Sequence, residues 1–171
     1  NLMVWKQIIE DVRPKLVLTT GTGGGIGKQF EVGDVIVSPL VNFFCKKAFK
    51  RLDSVHGSSV APNTKNFAKA KTLFKTNAHH LPTDNTRPPE ITVVKGGDLG
   101  SCIVTTDFFG FDTSDDHFGL QKHGDLSEMG DAIVGLLADE MAKANQPFPR
   151  WVAVRNVSDP QIKAEGTIKE Q

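Results

Sequence analysis

The sequence predicts an α/β domain with three layers, in which helices cover a central mixed, mainly parallel sheet. Two observations lead to this prediction. Short apolar and β-branched stretches alternate along the chain with segments of helical periodicity. In addition, 171 residues with 39% hydrophobic side chains suffice for the core of one domain. We therefore expect residues 1–171 to belong to a single domain.

The elements follow in chain order from periodicity and from turn residues. Apolar residues recur at helical spacing until Pro14, which predicts a helix over residues 2–13. Residues 16–20 are apolar and β-branched, as in a buried strand that leads into a glycine loop. The other stretches predicted as strands are 34–38, 41–49, 91–96, 102–111 and 151–157.

Two further segments complete the chain. Residues 54–89 are polar and rich in Pro, Asn, Thr and Lys, which predicts a surface excursion with one helix near residues 66–76. From Met129 to Ala144 apolar residues again lie on one helical face, and Pro147 ends that pattern. The alternation of strands and helices therefore extends over the whole sequence.

Composition excludes several classes of partner. Twenty basic residues balance twenty acidic ones, so no overall field attracts nucleic acid or an anionic membrane. No apolar run approaches the roughly 18 residues of a transmembrane helix. Cys45 and Cys102 form no C-x-x-C motif, which favours a reducing, cytoplasmic location. We expect neither a nucleic-acid partner nor a membrane.

Metal-ligand residue types occur at two places, residues 79–84 and 115–117. Each contains His and Asp, but a third ligand at a defined spacing is missing from both. Solvated loops are the better interpretation. We predict no metal and no cofactor.

The glycine-rich segment TGTGGGIGKQ, residues 20–29, suggests a ligand site. A phosphate-binding P-loop requires Ser or Thr after its Lys, but Gln29 follows Lys28. The dinucleotide motif G-x-G-x-x-G fails as well, because Ile26 or Lys28 falls on its last position. Both common nucleotide-binding interpretations are therefore weak.

In a sheet of this class, ligands bind where strands end. That rule selects four places: residues 19–25, residues 107–111, the surroundings of Glu128, and residues 156–160.

In order and spacing, these places resemble motifs of the nucleoside phosphorylase and nucleosidase superfamily, and most of all those of 5′-methylthioadenosine/S-adenosylhomocysteine nucleosidases. The matching segments are TGTGGGIGKQFEVGDVIVS (20–38), TTDFF (105–109), EMGDA (128–132) and VRNVSD (154–159). The resemblance covers residues 16–160. It implies a nucleoside phosphorylase-like fold, hydrolysis of the N-glycosidic bond of an adenine nucleoside, and a homo-oligomer, a dimer or larger.

The resemblance also implies a set of substrate-binding residues. Thr22, Gly23 and Gly24 would lie against the nucleoside, because glycines let the backbone approach a sugar closely. Glu128 would hold the ribose hydroxyls, and Met129 would pack against the sugar. Without the resemblance, the glycines indicate a tight turn, and Glu128 indicates the acidic first turn of a helix.

Three further roles rest on the same resemblance. Asp159 would be the general acid that protonates the departing purine at ring nitrogen 7, and Ser158 beside it would belong to the substrate-binding set. Phe109 would stack on the purine, although a Phe-Phe pair is more often part of a core. Ser158 and Asp159 before Pro160 also suit the start of a helix.

The sequence departs from the family pattern at two positions. Gly130 stands where the family has a glutamate that grips both ribose hydroxyls, and Asp131, about 100° further around a helix, follows it. Thr19 stands where the phosphorylases carry an arginine, which favours water over phosphate as the nucleophile. A phosphate-dependent phosphorylase and a non-catalytic nucleoside-binding or storage protein remain the alternatives. By comparison with the family pattern, we expect the domain to be incomplete at both ends.

Overall fold

The computed structural model describes residues 2–45, 51–56, 86–94, 101–108, 116 and 118–159. In this part of the chain, eight strands and two helices are present. The helices are α1 (Leu2–Val12) and α2 (Asp131–Lys143). The strands are β1 (Leu16–Gly25), β2 (Val35–Ser38), β3 (Leu40–Cys45), β4 (Arg51–His56), β5 (Ile91–Val93), β6 (Ile103–Thr106), β7 (Leu126–Glu128) and β8 (Arg150–Asp159).

The strands form one sheet in the order β4-β3-β6-β7-β1-β8-β2-β5. Of the seven pairings, four are parallel: β1 with β8, β2 with β5, β3 with β6, and β6 with β7. The other three, β1 with β7, β2 with β8, and β3 with β4, are antiparallel. The predicted α/β class with a mixed, mainly parallel sheet is confirmed.

The core lies between this sheet and the two helices. Trp151 of β8 is fully buried, and its indole Nε1 donates a hydrogen bond to Thr19 Oγ1 at 3.1 Å. Helix α1 packs on α2 through Ile9, Leu137 and Met141, all buried. Their burial supplies most of the stabilisation of this contact, about 1.5–3 kcal/mol for each large apolar side chain.

The glycine-rich segment was predicted to be a loop, but it forms the second half of a long strand. Strand β1 continues in register with β8 as far as Gly23, and a register shift then separates Gly23 from Gly24. A methyl group on Gly23 would stand 2.4 Å from the backbone oxygen of Ser127, so only glycine allows β7 to approach here. The sequence pattern missed this because glycine is normally unfavourable inside a strand.

The boundaries of other elements also differ from prediction. Residues 54–56 belong to β4 rather than to a surface excursion, and β7, three residues long, was not predicted because so short a stretch carries no periodicity. Helix α2 begins at Asp131, two residues later than predicted, since Glu128 is the last residue of β7. Strand β8 reaches Asp159.

Several predictions fall outside the described residues. They concern the helix near 66–76, the ends of the strands predicted at 41–49, 91–96 and 102–111, and the Pro160 turn. Neither α1 nor α2, the helices that the structure describes, is long and apolar enough to cross a membrane. The described residues also hold no group of three or more His, Cys, Asp or Glu side chains suited to a metal ion.

Candidate functional site

The ends of several strands meet at one place because β1 pairs with different partners on its two sides. Gly24 is opposite Ser127 of β7 on one side and opposite Asp159 of β8 on the other. Strand β6 runs beside β7, so its end at Thr106 lies close by. This convergence creates a pocket of about 440 Å³.

Six of the residues predicted from the sequence line this pocket, and they come from three separate segments of the chain. They are Thr22, Gly23, Gly24, Glu128, Met129 and Asp159. Ser158 is adjacent rather than part of the lining, and its hydroxyl oxygen lies 3.4 Å from Gly23 O. Phe109 lies outside the described residues.

Five residues without a predicted role complete the lining: Thr106, Phe108, Ser127, Gly130 and Arg155. Arg155 was inside the motif VRNVSD, so an arginine within an otherwise apolar predicted strand was the available signal. Phe108 lies beside Phe118, with ring centroids 5.3 Å apart. The small polar residues carried no signal, because Ser and Thr are common throughout the chain.

Glu128 is held by hydrogen bonds from the protein itself. The backbone N–H of Gly130 donates to Glu128 Oε2 at 2.6 Å, and the N–H of Asp131 reaches both carboxylate oxygens at 3.0 Å. The Thr105 hydroxyl donates to Oε1 and accepts a hydrogen bond from Ala132 N at 2.9 Å. Glu128 thereby satisfies the free N–H groups at the start of α2, which would otherwise be unpaired in a buried place.

Arg155, which lines the pocket, forms an ion pair through two hydrogen bonds with Asp131, which lies behind the lining. Arg155 Nε donates to Asp131 Oδ2 at 2.8 Å, and Nη2 donates to Oδ1 at 2.5 Å. Nη2 also lies 3.3 Å from Glu128 Oε2. The Asp131 side chain is 1% exposed and that of Arg155 is 16% exposed, so the pair is shielded from solvent.

The pKa of Glu128 is raised from its ordinary value to about 7. Burial of the carboxyl group is the main cause, and the negative charge of Asp131 adds to it. The hydrogen bond from Thr105 and the charge of Arg155 act in the opposite direction but are weaker. Burial and the neighbouring charge therefore favour the protonated form of Glu128 relative to an exposed glutamate.

Asp159 ends β8 at the edge of the pocket and is partly exposed. The Ser158 hydroxyl donates to Asp159 Oδ2 at 2.9 Å. A carboxyl group in this position can exchange a proton with a ligand in the pocket.

Gly130 leaves an opening in the wall between Met129 and α2. A methyl group built on it would meet only Glu128 Oε2, at 3.7 Å. Its backbone φ of −152° is available to residues with side chains, so nothing in the local geometry requires glycine. Met129 is 56% exposed.

A larger cavity of about 830 Å³ lies between α1 and the end of α2. Ile9, Met141 and Phe148 contribute to its lining, and none of the residues predicted for the site lies there. The residues predicted for the site therefore belong to the smaller pocket and not to this cavity.

Solved structures with a similar fold exist. A 5′-methylthioadenosine/S-adenosyl homocysteine nucleosidase from Campylobacter jejuni superposes over 99% of this chain and 67% of its own, with a TM-score of 0.58 and 18% identity. A putative methylthioadenosine nucleosidase from Weissella paramesenteroides superposes over 94% of this chain and 64% of its own, with a TM-score of 0.60 and 13% identity. This chain has the nucleosidase fold.

A second class of hydrolase has a similar fold. A futalosine hydrolase from Helicobacter pylori superposes over 92% of this chain and 63% of its own, with a TM-score of 0.55 and 14% identity. The chain thus spans about two thirds of the length of these structures. No protein-family model and no curated protein matches the sequence.

Proposed function

We propose that the chain carries the nucleoside site of a purine nucleosidase, which hydrolyses the N-glycosidic bond of an adenine nucleoside of the 5′-methylthioadenosine or S-adenosylhomocysteine type. One observation supports this most: residues 22–24, 128–129 and 159, assigned to a nucleoside by sequence resemblance, line one pocket. Its volume of about 440 Å³ is within the range of small-molecule sites. The likeness to solved nucleosidases supports the fold on which the proposal depends.

In the proposed reaction, Asp159 is the general acid. As the bond between the sugar and the purine breaks, Asp159 gives a proton to the base, which leaves as a neutral purine. Water adds to the sugar carbon and releases a proton to the solvent, from which Asp159 is protonated again, so the products are free base and a sugar with a new hydroxyl. Ser158 holds Asp159 in position through the hydrogen bond to Oδ2.

Water is favoured over phosphate as the nucleophile. Thr19, which replaces the arginine of the phosphorylases, is buried, and its hydroxyl accepts a hydrogen bond from Trp151. This position therefore offers no cation to a phosphate ion. A phosphate-dependent reaction remains the alternative within the same fold.

A non-catalytic nucleoside-binding protein is the second candidate. Gly130 supplies no side chain, and both oxygens of Glu128 are engaged by the protein. A site that holds the sugar weakly would bind a nucleoside without positioning it for reaction.

The proposal extends to a cytoplasmic homo-oligomer built from a single domain. Light scattering on the purified protein tests the oligomeric state.

The deciding experiment measures release of free base from adenosine, inosine, 5′-methylthioadenosine and S-adenosylhomocysteine, with and without phosphate. We expect phosphate-independent release of adenine, and a loss of about 100-fold or more in kcat in Asp159→Asn, as for the removal of a general acid. Asp139→Asn, the same change on the exposed side of α2, is the matched control.

Each outcome distinguishes the candidates. Release that requires phosphate indicates a phosphorylase. Nucleoside binding without release indicates the binding protein. If Asp159→Asn releases base as fast as the wild type, Asp159 is not the acid. If the protein neither binds a nucleoside nor releases base from it, the nucleoside site is rejected.

A further inference from the structure

The wall of the pocket formed by residues 128–130 presents no free carboxylate. A carboxylate has about four lone-pair positions. The Glu128 carboxylate already receives the N–H groups of Gly130 and Asp131 and the Thr105 hydroxyl, and Arg155 lies 3.3 Å away. Glu128 therefore has little capacity left for a hydroxyl of a ligand.

The neighbouring acidic residue, Asp131, does not replace Glu128 as an acceptor for a ligand hydroxyl. Both oxygens of Asp131 accept hydrogen bonds from Arg155, and the side chain is 1% exposed and absent from the pocket lining. Gly130, between the two acids, contributes only open space. The remaining residue of this wall, Met129, is apolar at its tip.

From this geometry we propose that the site does not select for the 2′-hydroxyl of the sugar, and that it accepts 2′-deoxynucleosides as well as ribonucleosides. The inference rests on the proposed function, in which Glu128 and Met129 face the sugar. A hydroxyl that loses water at the wall formed by residues 128–130 finds no free carboxylate there and gains little, whereas a wall built around that hydroxyl discriminates strongly against the analogue without it.

The test compares adenosine with 2′-deoxyadenosine in two independent measurements, the dissociation constant by calorimetry and kcat/KM for adenine release. We expect the two nucleosides to differ by less than about threefold in dissociation constant. A preference of about tenfold or more for adenosine, the size of one ordinary hydrogen bond, overturns the inference.

A variant at Gly130 makes the test more specific. Gly130→Glu adds a carboxylate where the structure has room, and we expect it to raise the preference for adenosine by about tenfold or more. Gly130→Met adds similar bulk without a carboxylate and should leave the preference unchanged. If both variants change the preference equally, the effect is steric and the inference fails.

Binding and hydrolysis separate this inference from the proposed function. Equal binding without adenine release supports the inference and rejects the nucleosidase. Adenine release with a strong preference for adenosine supports the nucleosidase and overturns the inference. If neither nucleoside binds the wild-type protein, both are rejected. If Gly130→Glu does not fold, as judged by circular dichroism, the wild-type dissociation constants decide.

Discussion

Arg155 and Asp131 are joined at two points, Nε to Oδ2 at 2.8 Å and Nη2 to Oδ1 at 2.5 Å, across the contact between β8 and the start of α2. Arg155 also lies against Gly21, where a methyl group would be 2.2 Å from Nη1. The ion pair therefore connects strand β8, the glycine-rich half of β1 and helix α2. It positions the pocket wall even though Asp131 does not line the pocket.

Asp131→Asn should destabilise the protein by about 3 kcal/mol, because removing one partner leaves a shielded charge poorly compensated. The double variant Asp131→Asn with Arg155→Met should lose less, since it removes both charges. Urea denaturation measures both. Asp139→Asn, exposed on the same helix, is the control and should change the free energy of unfolding by less than about 0.5 kcal/mol. Equal stability of Asp131→Asn and wild type would contradict this prediction.

Glu128 should make stability fall as pH rises from about 4.5 to about 7. The group keeps its proton in the folded state up to a pKa of about 7, whereas the unfolded chain loses it near 4.5. Between these values the folded state binds more protons, so the free energy of unfolding decreases with rising pH. Below this window the contribution is fully present, and above it the contribution is lost.

Other carboxyl groups titrate in the same range, so the contribution of Glu128 is measured against Glu128→Gln. The difference in free energy of unfolding between wild type and Glu128→Gln, followed by urea denaturation from pH 4 to 8, should decline through the window. Asp131→Asn should shift the decline to lower pH, because the charge of Asp131 raises the pKa of Glu128. A difference that is constant with pH would show that Glu128 is ionised throughout.

Gly23→Ala should destabilise the protein by about 1–3 kcal/mol, as overpacking does. The added methyl group would be 2.4 Å from Ser127 O and 2.4 Å from Leu126 Cδ2, and the backbone oxygen cannot move without disturbing the pairing of β1 with β7. Gly130→Ala is the matched control, with 3.7 Å of space and an expected change below about 1 kcal/mol. If thermal unfolding shows the same loss for both, close approach at Gly23 is not the reason for glycine.

Several elements were predictable from the sequence because their signals are local. The periodicity before Pro14 gave α1 within one residue, and the apolar run from Trp151 gave most of β8. The predicted site residues of three motifs line one pocket because those motifs lie at strand ends. Their roles toward a ligand stay predictions.

Other features were not predictable because they depend on residues distant in sequence. Strand β7 is only three residues long and is defined by its pairing with β1 and β6. The glycine-rich half of β1 is a strand because β8 supplies hydrogen bonds along it. Neither partner is visible from the local pattern.

Sequence alone therefore determined the class of fold, most of the helix and strand positions, and the motifs of the candidate site, since these follow from hydrophobic periodicity and residue type. Only the tertiary structure decided which charges meet. Glu128 became a buried cap of α2 with a pKa near 7, and Asp131 became the partner of Arg155. The physical reason is that burial and ion pairing depend on distances between strands and helices, which residue order does not contain.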